Sequence, residues 1–128
     1  MLLGDEMSKL LLVSCACLFA LVQNGFAGET DVVGVKVRAG ASGFAFDVSL
    51  RHGDTGWDHY ADRWDVVGLD GTVYGSRILA HPHENEQPFT RSKSGIKIPE
   101  GVKQVEIRGS AKPHGLGGKT MVVDLPGR

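Results

Sequence analysis

Downstream of residue 28 the apolar positions recur with period two rather than 3.6, which predicts strands and no helical stripe. Val33, Val35 and Val37 alternate with Gly34, Lys36 and Arg38. After the turn-forming Gly40-Ala41-Ser42-Gly43, the residues Phe44, Phe46, Val48 and Leu50 alternate with Ala45, Asp47, Ser49 and Arg51. This second run is the clearest half-buried strand of the chain. A polar stretch from His52 to Asp62 follows, with room for a helical turn within Trp57 to Arg63. Trp64, Val66 and Gly68 mark a third strand.

Asp70-Gly71 signals a type I′ hairpin turn, in which both central residues have positive φ, leading into a fourth strand from about Thr72 to Ala80. A long loop is expected to about Lys93, then a short fifth strand, Gly95-Ile96-Lys97-Ile98. Pro99-Glu100-Gly101 carries turn chemistry. Val105 and Ile107 define a sixth strand, Gly109 to Gly118 a glycine-rich loop, and Met121, Val123 and Leu125 a seventh. Seven short strands in one domain predict an all-β, antiparallel immunoglobulin-like sandwich over 28–128. If consecutive strands run antiparallel, the three short turns fall at one end. The three long connections fall at the other, bringing His52 and His59, His81 and His83, and His114 to the same end.

The chain begins differently. After Met7-Ser8-Lys9, Leu10 to Val22 is an apolar run too short to span a bilayer, followed by small residues at Gly25 and Ala27. This reads as a signal peptide over 1–27, cleaved after Ala27, with Met7 as an alternative start because Asp5 and Glu6 do not suit a signal. A periplasmic or secreted protein is expected. Leu12-Val13-Ser14-Cys15 resembles a lipobox, but the apolar run continues past Cys15 where a polar tether would follow, which argues against lipidation. Both cysteines, Cys15 and Cys17, lie in the signal, so the mature domain relies on its apolar core. Thirteen basic and thirteen acidic residues follow Ala27 and cancel. No basic stripe for nucleic acid and no membrane span is expected in the mature segment.

The densest chemistry is in His81-Pro82-His83-Glu84-Asn85-Glu86-Gln87-Pro88-Phe89-Thr90-Arg91. In extended chain, residues two apart point the same way, so His81 and His83 could share a metal, with His114, His59 or His52 as a third ligand. Neutral imidazoles suit Zn or Cu. Glu84 and Glu86 could serve as further ligands or hold the imidazoles in place. The alternative is that these histidines cap and shape loops without a metal. Asp54, Asp58, Asp62 and Asp65 supply oxygen ligands of the kind calcium uses, but lack the spacing of a calcium loop and read better as turn and capping residues. Trp57, Tyr60 and Phe89 either form an exposed recognition surface for a protein or glycan or fold inward to close the sandwich. Arg63 or Arg91 could pair with Asp58, Asp62 or Glu86 and fix the loops against each other.

Trp64 at the start of the third strand resembles the core tryptophan of immunoglobulin and fibronectin type III domains, although the cysteine pair and tyrosine corner are missing. The segments Thr55–Asp62 and Asn85–Arg91 resemble those of small uncharacterised secreted bacterial proteins, a resemblance that carries no activity with it. The cupin barrel is similar in its His-x-His placed six residues after Gly75. The match stops there, since Glu86 comes one residue early and no later histidine completes the second motif. Nucleophilic motifs are missing apart from an isolated Ser94-x-x-Lys97 in a predicted strand. These observations favour a non-enzymatic binding module for a protein or small ligand, with or without a metal at the histidine end. A metalloenzyme is the weaker reading, because no dedicated acid–base pair is evident.

Overall fold

Residues 29–128 are described by a computed structural model; the segment expected to be a signal peptide and both cysteines lie outside the described residues. The alternating segments form strands β1 (Asp31–Gly40), β2 (Gly43–Arg51), β3 (Tyr60–Val67), β4 (Val73–Ile78), β5 (Phe89–Ile96), β6 (Gln104–Lys112), β7 (Gly115–Leu116) and β8 (Met121–Asp124). Every pairing is antiparallel. One sheet has the order β1-β2-β5; the other has the order β4-β3-β6, with β7 and β8 both on the far side of β6. No helix occurs among the described residues, and Trp57-Asp58 forms a turn instead.

The period-two pattern sets the core. Phe44, Phe46, Val48 and Leu50 from one sheet meet Trp64, Val66, Val105 and Ile107 from the other in a single apolar cluster. Burying such side chains supplies the main driving force for holding two half-apolar sheets together. In β1 the phase shifts. Register slips between Val32 and Gly34, so Val33 is an extra residue, and Val32, Val35 and Val37 share the core face. A one-residue bulge permits this without a break in the sheet.

Three sequence expectations change. The fifth strand starts at Phe89, inside the expected loop. It is an edge strand with little apolar content, and polar pairs bind it to β2: Ser49 Oγ and Thr90 Oγ1 are 2.6 Å apart, and Ser92 Oγ donates to Asp47 Oδ1 at 2.6 Å. The β3–β4 connection is not type I′, because Gly71 (φ +93°) has positive φ whereas Asp70 does not. Gly71 N–H donates to the Gly68 carbonyl, and Asp70 Oδ1 accepts from Thr72 N–H, forming a three-residue loop. The last strand is interrupted. After β7 the chain leaves β6 to bond the start of β1: Val32 N–H donates to Lys119 O, Gly118 N–H to Glu29 Oε2, and Lys119 N–H to Asp31 Oδ1. It then rejoins β6 as β8, tying the two sheets together along one edge.

The short turns do gather at one end. There the Arg128 guanidinium donates to the carbonyls of Ile98, Pro99 and Val102 and lies over the Phe44 ring. The opposite end holds the long connections.

Candidate functional site: a histidine array around Asp54

Asp54 organises the long-loop end. Its side chain has no solvent exposure. Oδ1 accepts from His52 Nδ1–H at 2.5 Å and from Ala61 N–H at 3.0 Å, and Oδ2 accepts from His83 N–H at 2.6 Å. One carboxylate thus joins the end of β2, the start of β3 and the β4–β5 connection. Charge-assisted bonds to a buried acid are the stronger kind. Gln87 adds a second tie: its Oε1 accepts from His52 N–H, and its Nε2 donates to the His83 carbonyl.

All five histidines belong to this array. The His52 and His59 rings lie 4.7 Å apart and the His59 and His114 rings 5.4 Å, while His81 and His83 lie 4.6 Å apart. Asp54 links the two groups, with Oδ2 3.9 Å from His83 Nδ1. The interrupted last strand does not disturb this gathering, because β7 follows His114 and runs in the direction of β8.

The rings nevertheless pack rather than converge. His83 is buried between His81 and Phe89, whose ring it faces at 3.9 Å and 8°. Neither of its ring nitrogens has a hydrogen-bond partner, and the same is true of His59 Nδ1. Burial pushes the His83 imidazole below its usual pKa, Arg91 and His81 push in the same direction, and Asp54 and Glu86 oppose them. His81 is exposed, with Nδ1–H donating to Pro82 O at 2.9 Å. Among the described residues, no three histidine, aspartate or glutamate side chains come together in a way that could hold a metal ion.

The aromatics divide. Phe89 joins the core and Tyr60 is buried at the start of β3, so neither offers an exposed recognition surface; both are apolar bodies that close this end. Trp57 is 65% exposed. It sits at the tip of a tight turn closed by Thr55 N–H to His59 O and His59 N–H to Gly56 O, with Tyr60 packed edge-on at 5.7 Å. Beside it lies a groove of about 520 Å³ lined by Trp57, His81–Glu86 and Arg91.

Arg91 pairs with Glu86 at 3.0 Å. Arg63 does not reach Asp58 or Asp62. It lies 2.9 Å from Asp65, which also meets Arg108 at 3.2 Å and Ser76 at 2.6 Å. The reason is register: Arg63 and Asp65 are two apart on one face of β3, and Arg108 is directly across from Asp65 on β6. Asp58 is exposed at the turn, and the Asp62 carbonyl accepts from Leu79 N–H.

Sequence reasoning read Asp54 only as a turn or capping residue, without its reach to His83, and missed Gln87 altogether. The readable signal for Asp54 was its place two residues after His52 at a strand end, where a carboxylate can turn back onto backbone N–H groups. Nothing in the sequence marked Gln87.

No family model matches the chain, and no solved structure matches it. A protein of Halomicrobium mukohataei provisionally named a lipoprotein is 46% identical over 97 residues, covering 75% of this chain and 47% of that protein. The chain therefore spans about half the length of the curated relative it matches.

Proposed function

We propose that the chain is an exported, non-enzymatic immunoglobulin-like β-sandwich that binds a ligand or partner through its long-loop end. The observation that carries this reading is the Asp54 junction: it ties three segments into one platform beside an exposed Trp57. Loops held on a rigid scaffold are where such folds place recognition. The order β1-β2-β5 against β4-β3-β6-β8 supports the immunoglobulin or fibronectin type III-like assignment. Export is supported by the apolar run after Lys9 and by the relative's name. That name also weighs toward a lipid on Cys15 and against cleavage after Ala27. Mass spectrometry of the mature N-terminus separates the two: a chain starting at Gly28 has lost Cys15, and an acylated chain starts on it.

A photo-cross-linking residue placed at the exposed Asn85, beside Trp57 in the same groove, in the cell that makes the protein, tests the working surface. Adducts from position 85 and none from Val122, on β8, are the expected result. Adducts from 122 alone would move the working surface to the five-stranded sheet.

A second reading adds a Zn or Cu ion at the histidine array. It is supported by the partnerless ring nitrogens of His59 and His83, and it requires side chains to turn before three donors meet. A melting temperature that rises with added Zn²⁺ or Cu²⁺ in chelator-stripped protein, but not in the His81→Ala/His83→Ala double variant, is its signature.

A further inference from the structure

We infer that the groove beside Trp57 takes a neutral saccharide chain, with the indole as its stacking platform. The inference rests on the reading of the long-loop end as the working surface and adds the chemistry of the ligand. Trp57 is preorganised: two backbone hydrogen bonds close its turn, and Tyr60 supports the ring edge-on while the side chain stays 65% exposed. A large aromatic held rigid in water loses little conformational entropy when a ligand covers it.

The opposite wall is polar. Glu84, Asn85 and Glu86 are exposed, and the Arg91 guanidinium has donors beyond those used on Glu86 and the Thr90 carbonyl. Planar carboxylate, amide and guanidinium groups present paired donors or acceptors at the spacing of vicinal hydroxyls. Formal charge narrows the class. Glu86 and Arg91 neutralise each other, leaving Glu84 as the unpaired carboxylate of the groove. With that pair cancelled, the single negative charge left repels polyanions yet gives a polycation little to hold. An apolar ligand would strip water from these side chains without replacing their hydrogen bonds.

The larger groove at the short-turn end, about 660 Å³, offers no comparable platform. Its Tyr74 is half-buried against Gly68, and its Arg128 is committed to three backbone carbonyls.

The test is a panel of immobilised neutral polysaccharides (β-glucan, mannan, xylan, chitin) with polygalacturonate, heparin and polylysine alongside, probed with the purified protein. Binding to at least one neutral polysaccharide is expected, weakened about tenfold or more in Trp57→Ala and unchanged in Val122→Ala. Trp64 is fully buried, so acrylamide quenching reports Trp57 selectively, and bound oligosaccharide should protect it. A melting curve of Trp57→Ala checks that the variant is folded. Retention by no neutral polysaccharide, retention only by the charged polymers, or full binding by Trp57→Ala overturns the saccharide assignment. If cross-links from position 85 to a protein accompany such a result, the long-loop end remains the working surface and only the ligand class is wrong. If cross-links come from Val122 alone, both readings fall.

Discussion

His52 Nδ1 stands 2.5 Å from Asp54 Oδ1, with both side chains fully enclosed. These residues are two apart in sequence, yet their bond anchors a junction reaching His83, 29 positions further on. Removing the carboxylate strands several buried donors at once. Asp54→Ala should therefore cost about 3–5 kcal/mol, and Asp54→Asn less, since an amide oxygen still accepts. Urea unfolding checks the magnitude, and faster amide exchange at Ala61 and His83 checks the location.

The array makes stability depend on pH. Burial holds the folded His83 pKa below the unfolded value of 6.5. Between the two values the unfolded chain binds a proton that the folded chain does not, so this contribution is complete above 6.5 and lost as pH falls through the folded pKa. The urea midpoint of wild type should drop from pH 7.5 to pH 5 more than that of His83→Leu. An NMR titration of the His83 ring with a midpoint at or above 6.5 would contradict the account.

Phe89 and Trp57 should respond oppositely to truncation. Phe89 is buried under the His83 ring, and Phe89→Ala should cost about 3–5 kcal/mol. Trp57→Ala should change stability by no more than about 0.5 kcal/mol, because its side chain is largely in water. Equal losses in thermal or chemical denaturation would mean that Trp57 is packed in solution.

Two glycines separate backbone strain from crowding. Gly71 has φ +93° with open space around it, so Gly71→Ala should cost about 1 kcal/mol. Gly118 has φ +77°, and a Cβ there would collide with the Thr30 carbonyl, at the crossing that joins the sheets. Gly118→Ala should cost at least about 2 kcal/mol. A smaller loss at 118 than at 71 would show that this crossing yields easily.

Much of the fold was legible because it depends on local polarity. The run Phe44–Leu50 alternates, and a strand with one wet face must alternate, so its buried face could be read directly. The gathering of five histidines at one end followed from parity alone: with antiparallel neighbours, every second connection returns to the same end. β5 was not legible, because FTRSKSGI has apolar residues only at its two ends, and its partners Ser49 and Asp47 lie more than forty positions away.

By itself, then, the sequence determined the strands with apolar alternation, the sides they bury and the end to which the long loops go. Tertiary structure decided what happens at that end: His83 stacks on Phe89 with a tilted His81 beside it, Tyr60 turns inward, Trp57 stays out, and Asp54 binds three segments. The junction that fixes this end depends on donors and acceptors meeting across 29 to 35 positions of the chain. Only the packed sheets bring such groups within 3 Å, where hydrogen bonding and burial can choose among rotamers that the sequence leaves equally open.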